Sequence, residues 1–289
     1  MGVDTFTSEV LTIEREGHVA TLWLDRPDKR NALGPAFWSD LPRAMASIGE
    51  DAGLRAVVVG AKGPHFSVGL DLVAMAGLAG PPEPDERGAG RDGGARRPSM
   101  ASRASAARAQ ILRMQRSVSS VAECPLPVVA AIHGYCIGGG VDLAAACDIR
   151  LASRDAVLSV RETKIAIVAD LGSLQRLPGI IGRGHLAELA YTGKDISAER
   201  AAEIGLVNHV SADQESVLAD ARALAAEIAA NSPLAVQGTK AVLAAGETRS
   251  VAEGLDYVAA WNAGALLSDD LAEAMAAFAE KRPPTFTGT

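Results

Sequence analysis

The sequence predicts an α/β core over residues 1–205 and a helical region over 206–289. Three observations predict it. Short aliphatic runs that end at turn signals alternate with helical spacing through the first 205 residues, the pattern of strands joined by crossover helices. Beyond Gly205 only helical spacing remains. The chain has 289 residues, 48% of them hydrophobic, enough for one large domain or one domain with a small helical appendix. Aromatics make up 4%, so Ala, Val, Leu and Ile must build the core.

Taken in order, residues 10–15 and 19–24 read as strands joined by Glu16-Gly17-His18. The polar loop DRPDKRNAL (25–33) follows. Residues 35–48 place Phe37, Leu41, Met45 and Ile48 on one side of a helix. LRAVVVG (54–60) reads as a buried strand, and a turn at 62–64 leads to HFSVGLDL (65–72). Residues 77–105 are dense in Gly, Pro, Ser and Arg and nearly free of large apolar residues. That composition predicts a flexible surface insertion or lid, or a plain linker. Helical spacing resumes over 106–122 through Ile111, Met114 and Val118. PVVAAIH (127–133) is another buried strand, ending at Gly134, and short strands are expected at 149–152 and 157–160. Helices are expected at 212–230, 233–245, 251–267 and 269–280. Asn231-Ser232-Pro233 is a helix-start signal, with Pro at or near the first helical position. No repeat of fixed period is present.

The bulk numbers exclude several function classes. A net charge of −7 argues against nucleic-acid binding, though not against a local basic pocket for phosphates. No apolar run approaches the roughly 20 residues of a membrane span. The N-terminus MGVDTFTSEV has no basic start or apolar stretch, so no secretory signal is expected, and its match to a myristoylation pattern is weak. Cys124, Cys136 and Cys147 have no metal-binding spacing, and an odd count argues against a disulfide framework. Buried thiols in a reducing cytoplasm are the expectation.

Residues 134–178 are the richest in chemistry. The triple glycine 138–140 opens a short apolar helix, and Asp142 lies two residues beyond it. Glu162 and Asp170 follow among Ala, Val, Leu and Ile. A buried carboxylate is costly unless paired or used. Glycines at a helix start let backbone N–H groups approach an anion or a developing oxyanion. Together these features suggest proton transfer beside a polarised carbonyl.

HFSVGLDL (65–72) and GYCIGGGVDLAAACD (134–148) resemble the two signature segments of the crotonase superfamily, the enoyl-CoA hydratase/isomerase proteins. The similarity runs from DRPDKRNAL through ERAAEIGLVNHV (199–210) and SPLAVQGTK (232–240) to EKRPPTFTG (280–288). The resemblance implies a spiral core of repeated ββα units, with C-terminal helices that form homotrimers or homohexamers. It implies an oxyanion hole for an acyl-CoA thioester, built from the N–H groups of Leu70 and Gly139, to which a helix N-terminus adds its dipole. Phe66, Ser67, Val68, Gly69 and Asp71 would line the substrate. Arg26, Lys29 and Arg30 lie in a loop that in the family runs along CoA, and could meet its phosphates or simply be solvated. Lys281 resembles a C-terminal lysine that reaches CoA.

The acids choose among reactions. Hydratases typically carry glutamates at the positions of Asp142 and Glu162. Asp142, Glu162 and Asp170 together, with IVADLGSLQRLP (167–178), resemble the Δ3,5-Δ2,4-dienoyl-CoA isomerases of fatty-acid β-oxidation. The resemblance implies that Glu162 takes a proton from C2 of a 3,5-dienoyl-CoA and Asp170 delivers one to C6, with Asp142 orienting or tuning Glu162. The Ala, Val and Ile residues around Asp170 are expected to keep it protonated by desolvation. Asp170 could instead cap a helix that starts near 171–172. An enoyl-CoA hydratase and a silent acyl-CoA-binding protein are the alternatives. No metal or redox cofactor is implied, since CoA arrives with the substrate. Asp148 is expected to be a structural cap or an ion-pair partner. His65, His133, Ser67 and Ser159 lack the neighbours of a nucleophilic set and are expected to be structural. The 77–105 segment is longer and richer in Gly and Arg than is usual for the isomerases and lies where the family shapes the acyl pocket, so acyl length is not set by these motifs.

Overall fold

The computed structural model describes residues 6–74 and 99–289. The chain runs β1 (Leu11–Glu16), β2 (Val19–Leu24), α1 (Pro35–Gly49), β3 (Ala56–Ala61), α2 (Met100–Ala122), β4 (Val128–Ile132), β5 (Tyr135–Ile137) and α3 (Gly139–Ala146). It continues through β6 (Ile149–Ser153), β7 (Val157–Ser159), α4 (Ser173–Thr192), β8 (Ile196–Ser197), α5 (Ala198–Glu203) and β9 (His209–Ser211). Four helices end it: α6 (Gln214–Ala229), α7 (Pro233–Gly246), α8 (Val251–Ala265) and α9 (Asp269–Glu280).

The main sheet has the order β1-β2-β3-β4-β6-β9. β1 and β2 form an antiparallel hairpin with Leu11 opposite Leu24 and Glu16 opposite Val19. Gly17, at φ +57, makes the turn between them. The remaining pairs are parallel. A second sheet has the order β5-β7-β8. The chain therefore leaves β4 and β6 of the main sheet for a strand of the small one and then enters a helix. β4-β5-α3 and β6-β7-α4 are two turns of this ββα spiral.

Burial explains the strand composition. Val57 and Val59 of β3 face the larger core with Leu22, Val128 and Ala130. Ala56 and Val58 face the opposite side, with Val129, Ala131 and Leu151. A parallel sheet covered on both faces reads as a continuous apolar run. On that second side α6 lays down Val217, Ala221, Ala225 and Ala229, all buried at four-residue spacing. Small side chains let this helix lie close to the sheet.

Two expectations are corrected here. α2 begins at Met100, with Ser99 accepting from the Ser102 N–H, so the helix starts inside the stretch expected to be flexible. The rest of that stretch, 77–98, lies outside the described residues. A boundary at 205/206 is also too early, because β9 and α6 belong to the main sheet and its second core. The helices that stand apart begin at α7. The tail returns to the core: Asp270 accepts from the Thr287 and Gly288 N–H groups, and Arg55 Nη2 donates to the Phe286 carbonyl at 2.7 Å. No helix among the described residues is long and apolar enough to cross a membrane.

Arg150 closes the C-terminal end of α3. It is 6% exposed, and backbone carbonyls receive its guanidinium: Cys147 at 2.7 Å, Leu206 at 2.9 Å and Ala144 at 3.3 Å. A cation here also complements the negative end of the helix dipole. Arg150→Met leaves those carbonyls buried without donors. It is expected to cost about 3 kcal/mol, read as a lower midpoint in urea unfolding; an unchanged midpoint would count against this role.

Candidate active site

The site forms where the 66–71 loop meets the start of α3. Two short parallel bridges stitch the loop in place. The Ser67 N–H donates to the Tyr135 carbonyl at 2.9 Å, and Ser67 O accepts from Ile137. Leu33 donates to Gly69 O at 2.8 Å and accepts from the Asp71 N–H at 3.1 Å. Because Leu33 bonds to both neighbours of Leu70, the N–H of Leu70 points the other way. Gly69, at φ +85, sits so close to the next segment that a Cβ there would lie 2.7 Å from the Ile137 carbonyl oxygen and 3.4 Å from the Gly139 nitrogen. A Cβ on Gly140 would lie 3.1 Å from Ser67. The Gly139 N–H, in the first turn of α3, has no acceptor within the helix. Among the described residues neither Leu70 nor Gly139 donates a backbone hydrogen bond.

Three carboxyls gather beyond this pair. Asp142 lies in the first turn of α3, 1% exposed, and its Oδ1 accepts from the Ser173 N–H at 2.6 Å. Glu162 heads a 3-10 turn, Glu162–Ile165, with two residues between it and the end of β7. It is 8% exposed, and its Oε2 is buried without a hydrogen-bond partner. Asp170 is half-buried just before α4, and its carbonyl accepts from Gln115 Nε2 at 2.7 Å.

The carboxyls perturb one another. Burial pushes Glu162 up to about 7, and the charges of Asp142 and Asp170 push the same way. Burial raises Asp142 to about 6 against the hydrogen bond from Ser173, with Asp170 raising it further and Arg176 lowering it. Burial raises Asp170 as well. Groups held this far from their ordinary range, side by side, suit proton transfer near neutral pH. Only part of the aliphatic segment around Asp170 is buried with it. Ile167 and Val168 are exposed, at 37% and 72%, and of the aliphatic neighbours only Ala169 and Leu171 are buried beside it.

The capping alternative for Asp170 is also corrected. The N-cap of α4 is Gly172, which has no side-chain cap bond, and Asp142 takes the Ser173 N–H from across the site. Asp142 is thus a remote cap as well as a member of the acid cluster.

Several expected substrate contacts are engaged in the fold. Phe66 and Ser67 are fully buried, and Ser67 Oγ donates to the Asn31 carbonyl at 2.8 Å, so these two side chains do not face a ligand. Arg26 pairs with Asp71 at 2.8 Å, which joins the 25–33 loop to the 66–71 loop; the Ala74 N–H first, and Arg26 after it, hold the Asp71 carboxyl below its ordinary range. Val68 is half-buried, and its N–H donates to Arg30 O. Lys29 and Arg30 are exposed and carry the available positive charge of that loop. Lys281 ends α9 in the left-handed region, exposed, and no hydrogen bond or ion pair among the described residues connects it to the acids. Asp148 accepts from the Val128 N–H and pairs with Lys240 at 2.8 Å. His133 bonds Gly63 O, His65 accepts from the Tyr135 N–H, and Ser159 bonds Gly193 O. Cys124, Cys136 and Cys147 are free and buried.

One residue to which no role was assigned proved to be an organiser. Asn31, buried at φ +54, receives the Arg26 N–H and donates to Lys62 O and His65 O. Its place in DRPDKRNAL and its type were the signals the sequence offered, since Asn tolerates the left-handed region better than most residues. Among the described residues no cluster of three or more His, Cys, Asp and Glu has the geometry to hold a metal ion.

This fold, with two spare N–H groups beside buried acids, defines a protein of acyl-CoA chemistry, and the chain belongs to the enoyl-CoA hydratase/isomerase family, whose model matches residues 14–87 and 88–289. Among curated relatives it is 40% identical over 280 residues to a peroxisomal Δ(3,5)-Δ(2,4)-dienoyl-CoA isomerase of Arabidopsis thaliana, covering 97% of this chain and 96% of that protein. It is 42% identical to the mitochondrial enzyme of that name from Rattus norvegicus, covering 92% and 77%. Its structure matches the enoyl-CoA hydratase of Bacillus anthracis with a TM-score of 0.85 at 31% identity, over 97% of this chain and 100% of that one.

The raised carboxyl of Glu162 fixes a sign. Its ordinary value is 4.5 and the folded value about 7, so between those pH values the folded state holds more protons than the unfolded chain. Ionising Glu162 therefore lowers stability as pH rises through that window. Glu162→Gln is expected to raise the melting temperature at pH 8 by about 3 °C or more, with the gain vanishing toward pH 4. An equal shift at both pH values would contradict the assignment.

Proposed function

We propose that this chain is an acyl-CoA isomerase that converts 3,5-dienoyl-CoA to 2,4-dienoyl-CoA. The observation that carries the reading is the three mutually perturbing carboxyls beside two unspent backbone N–H groups. Relatives bearing the dienoyl-CoA isomerase name, at 40% and 42% identity over most of the chain, support it.

In the proposed reaction the thioester oxygen sits between the Leu70 and Gly139 N–H groups. Glu162 removes a proton from C2, and the electron pair spreads over the oxygen and the diene as a dienolate. The two N–H groups stabilise the negative charge where it develops, an effect worth about 3 kcal/mol per donor in comparable sites. Asp170 then gives a proton to C6. One proton leaves carbon and one joins it, so no redox change occurs. The site resets when Glu162 loses its proton and Asp170 regains one. As proposed, the relay calls on no metal or redox partner, and CoA enters as part of the substrate.

Burial raises both Glu162 and Asp170, so the pair can hold a shared proton near neutral pH. A bound acyl chain that covers half-buried Asp170 raises its proton affinity further and favours the form in which Asp170 is the donor.

The protein is proposed to act as a homotrimer or homohexamer assembled through its C-terminal helices. Apolar side chains on α7 to α9 support this, among them Leu243, Leu255 and Phe278, at 69%, 63% and 85% exposure in the single chain. A cytoplasmic setting is kept as part of the proposal, supported by the three free thiols. Lys29 and Arg30 are proposed to meet CoA phosphates, with Lys281 as a further contact.

The first measurement is the ultraviolet spectrum of the protein mixed with a 3,5-dienoyl-CoA. Growth of 2,4-dienoyl absorbance is expected, together with a loss of about a hundredfold to ten-thousandfold for Asp170→Asn. No change with this substrate, but consumption of a 2-enoyl-CoA, would make the protein a hydratase. The pH profile gives a second test. The working form holds one proton between Glu162 and Asp170, whichever group carries it in the free protein, so the apparent values belong to the pair. Above about 7 that proton is lost. A bell is therefore expected for kcat/KM, with its alkaline limb near pH 7. A rate that keeps climbing beyond pH 8 would reject a single shared proton.

A further inference from the structure

Two hydrogen bonds from one face of α2 reach the loop that carries Asp170. Gln115 Nε2 donates to the Asp170 carbonyl at 2.7 Å. One helical turn on, Ser119 Oγ accepts from Arg176 Nη2 at 3.0 Å. The same guanidinium donates through Nη1 to the Leu171 carbonyl at 3.4 Å. Residues four apart lie one above the other on a helix, so Gln115 and Ser119 act from one stripe. Both are half-buried. The carbonyls of two successive residues, 170 and 171, are thus held by one helix, the first directly and the second through Arg176.

That loop needs holding. It belongs to no helix or strand, and Gly172, at φ +130, follows immediately. An aspartate has a short side chain, so the backbone decides where its carboxyl goes. We propose that Gln115 is a positioning residue for Asp170, fixing the peptide that aims its carboxyl at the far end of the acyl chain. The inference rests on the dienoyl-CoA reading above. A neutral amide suits the task better than a cation. Lys or Arg at 115 would favour the ionised form of the nearby carboxyl and spoil it as a proton donor.

Gln115→Met tests this in the full-length protein, because Met nearly keeps the volume and loses both N–H donors. Isomerisation of a 3,5-dienoyl-CoA is followed in D2O beside deuterium entry at C2 of unreacted substrate. C2 exchange reports Glu162 and the oxyanion pair; product formation also needs Asp170. The expected result is a fall in kcat of about tenfold or more with KM within about twofold, as small misplacement of a reacting group produces. C2 exchange should persist, so the ratio of exchange to isomerisation rises by the same factor. A merely structural role would lower both rates together, and that parallel fall would overturn the proposal, as would an unchanged kcat. Should Gln115→Met fail to fold, Gln115→Leu, which loses the donor without adding a charge, is read in the same way. Absence of isomerisation in the unsubstituted protein would overturn the dienoyl-CoA reading, and this role with it.

Discussion

The structure turns on two backbone segments lying closer together than a side chain would permit. Gly69 lies against Ile137 and Gly139, and Gly140 against Ser67. Without that approach the Leu70 and Gly139 N–H groups could not both stand at the site. The surroundings serve this contact. Ser67 and Leu33 hold the loop on its two sides, and the Arg26–Asp71 pair ties the preceding loop to it. Gly138, at φ +53, turns the chain out of β5 so that α3 begins with its N–H groups directed inward. The inner strands fix the distance, since β4 and β6 lie in one sheet while β5 and β7 lie in another.

Buried charge is treated in two opposite ways within a few residues. Arg150 is surrounded by carbonyls that satisfy it, and it reinforces the end of α3. Glu162 has a buried oxygen with no partner, and two more carboxyls near enough to repel it. Buried polar groups are normally satisfied, and an exception calls for a reason. Here the unsatisfied oxygen is the one free to take a proton. The same α3 that Arg150 anchors at its C-terminal end carries Asp142 in its first turn, so a fully satisfied cation steadies an acid cluster left deliberately short of partners.

Much of this was legible in the sequence, for identifiable reasons. β3 and β4 are buried on both faces, and their nearly continuous small and aliphatic runs say so. α1 and α6 to α9 follow their apolar spacing to within a few residues. The triple glycine and the three acids were visible because glycine at a helix start and carboxylates among aliphatics are both costly without a use. Other features left no such mark. Of α4 only the start, expected near 171–172, was legible; the helix holds Pro178 and leaves helical geometry at Gly182, so the rest of its composition reads as turn. β5, β8 and β9 are three residues long or fewer, too short for a periodic signal. The outward turn of Ile167 and Val168 and the Arg26–Asp71 pairing depend on which segments meet in space. Gln115 sits in an ordinary helical stretch; only the tertiary fold brings its amide to Asp170.

The double duty of Asp142 bears on how reaction type could change over evolutionary time. Its carboxylate belongs to the acid cluster and also secures the first N–H of α4 through Ser173. Family members that add water typically carry a glutamate at this position. Lengthening this side chain by one methylene here would displace the oxygen from Ser173, and a second change near the start of α4 would have to accompany it. A lineage moving between double-bond migration and hydration would therefore cross a pair of linked substitutions rather than a single step, and intermediates with only one of them would be poor at both reactions.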